Sequence, residues 1–187
     1  MFSRKFAPRM FKGSIVTAVM LTALVSATFV IPARAADPAS GQTMVLHAAE
    51  ATKSLPASVF YRGQTAPVQS RNSGGVRFAD GMLVLVANVD NSGYSSGVQQ
   101  KFQTYLLTEV PLDMDGKHLP AGAYGLGLVA GQILVTDIGA KDILQTKSMT
   151  DANLKRPTPL QVVADAAADH YRIYFGRDYF VISRAAK

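Results

Sequence analysis

The first regular pattern of apolar and polar positions covers residues 40–55. Apolar side chains recur there at the spacing of one helical face, namely Met44, Ala48, Ala51 and Leu55. Ser40 is a suitable N-cap, and Pro56 prevents the helix from continuing. The pattern therefore predicts one short amphipathic helix that lies on the sheet.

After this helix the pattern changes to short segments typical of β-strands. The longest apolar run, residues 82–89, is rich in Val and Leu and lies between the turn pairs Asp80-Gly81 and Asp90-Asn91. Such a run is typical of a strand that is covered on both faces. We expect it at the centre of a sheet, joined to residues 76–78 by a hairpin through Asp80-Gly81.

The remainder of the chain predicts an antiparallel β fold. Residues 63–75 have the composition of a loop, and residues 98–101 fit a helical turn that leads into a strand. Further strands are predicted at residues 59–62, 124–129, 133–137, 143–146, 161–165, 171–175 and 179–184. Tight turns at Ala130-Gly131 and at residues 176–178 join neighbouring strands. The fold class is therefore mainly β, an antiparallel β-sandwich or squat barrel with one short N-terminal helix.

The first 35 residues have the layout of a cleavable secretory signal peptide. Its positive region contains Arg4, Lys5, Arg9 and Lys12. An apolar stretch covers residues 15–31, and Ala33-Arg34-Ala35 has the small-residue pattern that signal peptidase recognises. We expect cleavage before Ala36, a single β-rich domain over residues 36–187, and a periplasmic or secreted location without a stable membrane anchor. An uncleaved anchor is the alternative, because the apolar stretch approaches the length that spans a bilayer.

Charge and cysteine content narrow the function classes. The leader holds five of the nineteen basic residues and none of the thirteen acidic ones, so residues 36–187 carry 14 − 13 = +1 formal charge. The basic character of the whole chain therefore gives no reason to expect a nucleic-acid partner. Since the chain contains no Cys, neither a disulfide framework nor a thiolate metal site is available.

Residues 116–124, GKHLPAGAY, carry a short family resemblance. The segment resembles the G-K-x-L-P-A-G-x-Y hairpin of an uncharacterised family of secreted bacterial β-rich proteins. Pro and Gly set a bend, and Tyr124 begins the strand that follows. The resemblance implies β architecture and an extracytoplasmic setting, and it transfers no catalytic residues.

One motif raises the possibility of catalysis. Residues 93–97, Gly-Tyr-Ser-Ser-Gly, match the G-x-S-x-G elbow of serine hydrolases after an apolar strand. Ser95 would be the nucleophile and His170 its base, with an orienting carboxylate from Asp137, Asp142, Asp151 or Asp165. The chain is short for that fold and lacks its βαβ units, so an ordinary Gly-Ser loop is the favoured interpretation.

Metal and cofactor sites are not indicated. His47, His118 and His170 lie far apart in the sequence, whereas a zinc site needs three or four converging ligands. Residues 113–116, Asp-Met-Asp-Gly, resemble the start of a calcium loop without its further oxygen ligands. We interpret Asp115-Gly116 as a hairpin turn and expect neither a metal nor a cofactor.

Candidate ligand-binding residues come from three segments: Tyr94 in the loop at 91–97, Tyr124, Gly125 and Gly127 in an alternating strand, and Tyr174 and Arg177 in the aromatic C-terminal hairpin. The bare face of the glycine strand either lets another backbone approach or lines a cleft. The hairpin aromatics offer a stacking surface or, more commonly, a packed core.

The composition and these segments together favour an exported, non-catalytic binding or interaction module for an unknown small molecule or protein. The alternatives are a small serine hydrolase that uses Ser95 and His170, and a structural envelope protein.

The predicted cleavage site determines the first residue of the exported protein. Because the Ala-Arg-Ala pattern ends at Ala35, mass spectrometry of the exported protein should find Ala36 as its first residue. An exported protein that keeps Met1 would contradict the cleavage and support the anchor.

Overall fold

The computed structural model describes residues 41–186, so the leader and its cleavage site lie outside the described residues. The strands, in chain order, are β1 (Met44–Leu46), β2 (Ser58–Tyr61), β3 (Gln64–Arg77), β4 (Leu83–Val89), β5 (Thr104–Thr108), β6 (Leu112–Met114), β7 (Lys117–Leu119), β8 (Gly122–Val129), β9 (Gln132–Asp137), β10 (Asp142–Lys147), β11 (Met149–Thr150), β12 (Gln161–Ala164), β13 (His170–Phe175) and β14 (Asp178–Arg184). Two short helices, α1 (Ala48–Ala51) and α2 (Ser96–Lys101), complete the regular structure.

The strands form two antiparallel sheets, and the predicted β-sandwich is confirmed. The larger sheet has the order β1-β3-β4-β5-β8-β9-β10, with β2 paired to the first part of β3. The smaller sheet has the order β12-β13-β14-β6-β7, with β11 paired to β14. Neither sheet closes into a barrel, so the sandwich alternative is the correct one.

The main core lies between the two sheets, and β4 shows how the larger sheet is covered on both faces. Val84 and Val86 point into the main core with Ile173 and Phe180 of the smaller sheet. On the opposite face of β4, Leu85 is buried in a second cluster with Leu46 and Ala51. Both faces of β4 are therefore apolar, which confirms the interpretation of the continuous run at residues 82–89.

A third cluster covers the other end of the larger sheet and explains the glycine strand. The rings of Tyr61 and Phe102 stack with centroids 3.8 Å apart. A Cβ at Gly125 would lie 2.8 Å from the Tyr61 ring, and one at Gly127 would lie 2.2 Å from the carbonyl oxygen of Gln100 in α2. The bare face of β8 therefore serves close packing of rings and backbone, which is one of the two roles predicted for it.

The predicted N-terminal helix is largely wrong. Met44–Leu46 forms β1, paired with residues 75–77 of β3, and α1 is a single turn that begins after His47. Strand pairing outweighs the helical spacing here, because a helix this short gains little from its own hydrogen bonds. Ala51 still packs on the larger sheet beside Leu85, as an apolar face at this position requires.

The predicted loop at residues 63–75 is also wrong, because β3 runs through it. The first part of β3 pairs with β2, and a register shift between Val68 and Ser73 separates it from the part that pairs with β4. Glycine is required rather than merely tolerated at Gly75, where a Cβ would lie 2.3 Å from the carbonyl oxygen of Val84. The loop-like composition of residues 63–75 therefore belongs to a bulged strand.

The predicted hairpin turns are confirmed. Gly81 has φ +85°, and Phe78 N–H bonds to Met82 O across the turn between β3 and β4. Ala130 and Gly131 both have positive φ between β8 and β9, as a two-residue type I′ turn needs. The turn between β13 and β14 likewise lies at the predicted Gly176-Arg177.

Because α2 packs closely on β8, a methyl group added at Gly127 should destabilise the fold. Gly127→Ala places a Cβ against the backbone of Gln100, so we expect a loss of roughly 1–3 kcal/mol in the free energy of unfolding. Gly97→Ala is the matched control, because Gly97 lies in α2 with open space around it and should be neutral or slightly stabilising. Denaturant unfolding of both variants checks this, and equal stabilities would contradict it.

Candidate ligand-binding site

One edge of β14 is shared between two short strands that do not meet. At its start, β14 pairs with β11 through Met149↔Tyr179 and Thr150↔Asp178. At its end it pairs with β6 through Ser183↔Asp113 and Arg184↔Leu112. Within residues 41–186, no strand pairs with Val181 on this edge. We call the gap at Val181, between β11 and β6, the sheet window.

The register shows that the backbone of Val181 points into the sheet window. Asp151 N–H bonds to Arg177 O beyond one end of this edge, and Ala185 N–H bonds to Pro111 O beyond the other. Hydrogen-bonded residues alternate along an antiparallel strand, so the odd-numbered residues of β14 face this edge. Phe180 and Ile182 consequently bond to β13, whereas the N–H and C=O of Val181 face the window.

The opposite side of the sheet window is formed by the end of β10. Lys147 pairs with Gln132 in the larger sheet, and Ser148 N–H bonds to Gly131 O. By the same alternation, the N–H and C=O of Lys147 point away from β9. The chain thus leaves the larger sheet at Lys147 and enters the smaller one at Met149.

A cavity of about 400 Å³ opens at the sheet window. Its apolar lining comes from Met149, Phe180, Val181 and Ile182, and its polar lining from Asp113, Asp115, Thr146, Lys147, His170 and Ser183. This volume and mixture of polar and apolar groups are typical of sites for small ligands. Thr146 Oγ1 lies 3.4 Å from Asp115 Oδ2, which joins β10 to the turn after β6.

The charged groups of the cavity are not used in ion pairs. The ion pairs among residues 41–186 are Lys101–Asp142, Arg172–Asp165 and Arg184–Asp80, and none of them involves Asp113, Asp115 or Lys147. Arg172, which lies opposite Val181 on β13, is engaged by Asp165, and its hydrogen bond holds the pKa of the Asp165 carboxyl below its usual range. Lys147 is therefore the cation of the cavity wall that is available to a ligand.

Polar side chains form a row across the outer face of the smaller sheet beside the window. His170 lies opposite Ser183, and Ser183 lies opposite Asp113. The Nδ1 atom of His170 is 2.7 Å from the carbonyl oxygen of Ala168. Because a carbonyl only accepts, Nδ1 carries the proton, and in the neutral ring Nε2 remains an acceptor.

The structure does not bring Ser95 and His170 together. Ser95 is an exposed residue at the N-cap of α2, which packs on the outer face of the larger sheet against β8. His170 lies in β13 of the smaller sheet, on the far side of the main core. The hydrogen bond that would activate the serine therefore has no counterpart among the described contacts of either residue.

Four of the predicted ligand-binding residues are buried in packing. Tyr94 is 7% exposed, and its hydroxyl donates to Tyr61 O or Gln64 O, both 3.1 Å away. Tyr124 is 8% exposed in the main core, with its hydroxyl on Pro120 O. Gly125 and Gly127 lie under the aromatic cluster and α2. Burial raises the pKa of both tyrosines, as expected for hydroxyls away from water.

The other two, Tyr174 and Arg177, hold a loop. Tyr174 is 2% exposed, and its hydroxyl donates to Asp151 Oδ2 at 3.1 Å. Arg177 Nη1 donates to three backbone carbonyl oxygens, those of Asp151, Ala152 and Leu154. The two side chains thus fasten residues 151–154 to the smaller sheet, and neither lines the cavity at the sheet window.

The residues considered for metal binding are dispersed. His47 precedes α1, His118 lies in β7 and His170 lies in β13. Across residues 41–186, no group of three or more His, Asp or Glu side chains is arranged to hold a metal ion. Asp115 and Gly116 have φ +57° and +75° and form the turn between β6 and β7, as predicted.

Sequence reasoning missed Val181, Ser183 and Lys147 as candidate site residues. Nothing in the residue type of Val181 distinguishes it from a core valine, because its importance lies in a backbone without a paired strand. Asp113 and Asp115 did attract notice, but as part of a calcium-like segment. The pairing of β14 with β6 and β11 is what shows that these residues surround one gap in the sheet.

Comparisons with known proteins give no match, whether to protein-family models, curated proteins or solved structures. In the part of the chain that the structure describes, neither helix has the length and apolar character needed to cross a membrane. The site must therefore be interpreted from its own chemistry.

The open edge at Val181 predicts a pattern of amide exchange. The N–H groups of Phe180 and Ile182 bond to β13 and should be protected, whereas that of Val181 should exchange on the order of tenfold faster or more. Hydrogen exchange followed by NMR measures all three in one sample. Equal protection at the three amides would show that the ladder is closed at Val181.

Proposed function

We propose that this chain is an exported, non-catalytic binding module whose sheet window takes a small ligand with both a hydrogen-bond donor and an acceptor. The observation that supports this most is the unpaired edge of Val181, which faces a cavity of about 400 Å³. Backbone groups without partners are costly when they are removed from water. A ligand that satisfies them gains directional bonds as well as contact with Met149 and Ile182.

The arrangement of the described residues supports a binding function over serine hydrolysis and over a purely structural role in the envelope. Ser95 and His170, the pair that hydrolysis would need, lie on opposite sides of the main core. A purely structural envelope protein has no need for a cavity lined by Asp113, Asp115 and Lys147 outside ion pairs. Export rests on the leader at residues 1–35 and on the extracytoplasmic setting that residues 116–124 imply.

A small molecule with one amide N–H and one C=O tests the site. N-methylacetamide titrated into the labelled protein should shift the amide resonances of residues 180–183 saturably, and those of the exposed loop at 93–97 hardly at all. N,N-dimethylacetamide, which lacks the N–H, is the matched control and should bind more weakly. An absence of saturable shifts at residues 180–183 would contradict the proposed site.

A fluorophosphonate probe tests the absence of serine hydrolase activity. We expect no labelling of the purified protein, because a serine without a hydrogen-bonded base is a weak nucleophile. Ser95→Ala provides the comparison. Labelling of the native chain that disappears in Ser95→Ala would show that the chain is a hydrolase.

A further inference from the structure

A second cavity, separate from the sheet window, opens beside β12. It has a volume of about 270 Å³, and three segments line it: residues 46–48 at the end of β1, residues 71–73 in β3 and residues 158–162 at the start of β12. None of these residues lines the cavity at the sheet window. We call this second cavity the β12 cleft.

Arg71 brings to the β12 cleft a positive charge that no carboxylate pairs with among residues 41–186. The ion pairs of this part of the chain do not include Arg71. No Asp or Glu lines the cleft, and Glu50 of α1 lies outside its wall. The cleft therefore favours an anion, whereas the cavity at the sheet window contains Asp113 and Asp115.

Hydrogen bonds within the bulge of β3 hold the backbone around Arg71. Asn72 Nδ2 donates to Gln69 Oε1 at 2.9 Å, and Ser73 Oγ donates to Ser70 O at 2.7 Å. Both bonds engage residues beside Arg71 rather than its guanidinium. That group keeps its N–H donors, whose planar fork matches the oxygen atoms of an oxyanion.

Two further donors lie at the same cleft. His47 precedes α1, and its side chain makes no capping hydrogen bond to that helix. In either neutral tautomer the ring carries one N–H. Asp165 N–H bonds to His170 O, so the odd-numbered residues of β12 bond to β13, and the N–H of Val162 lies on the open edge of β12. Since no residue of β13 lines the cleft, the cleft borders this open edge.

The type and placement of these donors indicate the ligand. Arg71, His47 and Val162 come from three different walls, so the acceptor atoms of the ligand must point in three directions. A phosphate group meets this requirement, since it keeps three strong acceptor oxygens even when a fourth is esterified. A planar carboxylate has two oxygens in one plane and leaves a donor unused. The volume of about 270 Å³ also has room for a phosphate group, because a water molecule occupies roughly 30 Å³.

We propose that the β12 cleft binds a phosphate group, as the free ion or as a small monoester, through Arg71, His47 and the N–H of Val162. This site goes beyond the proposed function, because it shares no residue with the sheet window and does not depend on a ligand there.

Inorganic phosphate titrated into the labelled protein at constant ionic strength tests the site. The amide resonances of His47, residues 71–73 and Val162 should shift saturably, whereas those of residues 180–183 at the sheet window should not. Sodium chloride at the same ionic strength is the control for charge screening alone. Glycerol 3-phosphate, with glycerol as its control, distinguishes the two sources of the phosphate group. Tighter binding than that of inorganic phosphate would identify a monoester as the ligand, and weaker binding the free ion.

Variants of two arginines in β3 assign the charge. Arg71→Gln should weaken phosphate binding on the order of tenfold, because it removes a charge-assisted hydrogen bond. Arg71→Lys keeps the charge without the planar fork and should bind with intermediate affinity. Arg77→Gln is the matched control and should leave the affinity unchanged, since Arg77 is likewise an exposed arginine of β3 outside the described ion pairs.

Three results would overturn the inference. They are an absence of saturable shifts at residues 71–73, shifts there that sodium chloride reproduces, and an affinity that Arg71→Gln leaves unchanged or lowers no more than Arg77→Gln does. None of the three bears on the proposed function, which is tested by N-methylacetamide at residues 180–183. A failure of one site is therefore distinguishable from a failure of the other.

Discussion

The passage of the chain from one sheet to the other at Ser148 is the constraint on which the site depends. Lys147 pairs with Gln132 in the larger sheet, and Met149, two residues later, pairs with Tyr179 in the smaller one. The ladder between β11 and β14 begins at Met149 and does not include Lys147, so Val181 has no paired strand on this edge within the described residues. The gap at Val181 therefore lies where the chain crosses between the two sheets.

The rest of the fold keeps this crossing in place without disulfides. The larger sheet is buried on both faces, by the smaller sheet on one side and by α1, α2 and the β2–β3 hairpin on the other. The stacked rings of Tyr61 and Phe102 rest on Gly125, and α2 rests on Gly127. Tyr174 and Arg177 fasten the loop that follows β11, so the end of the crossing is held by hydrogen bonds.

The sequence predicts those parts of the structure that local patterns determine. The apolar run of β4 and the turns at Asp80-Gly81 and Ala130-Gly131 were identified correctly, because burial on both faces and positive φ each demand particular residue types. β1 and the first part of β3 were missed because long-range pairing outweighs local spacing and composition there. The candidate site was out of reach, since it depends on how β14 divides its edge between two strands of two and three residues.

A high-resolution crystal structure of the protein would show directly what the backbone of Val181 bonds to. We expect the N–H and C=O of Val181 to be bonded to solvent or solute in the sheet window, with Lys147 paired only to Gln132. Hydrogen bonds from Val181 to Lys147 that close the ladder between β14 and β10 would contradict it.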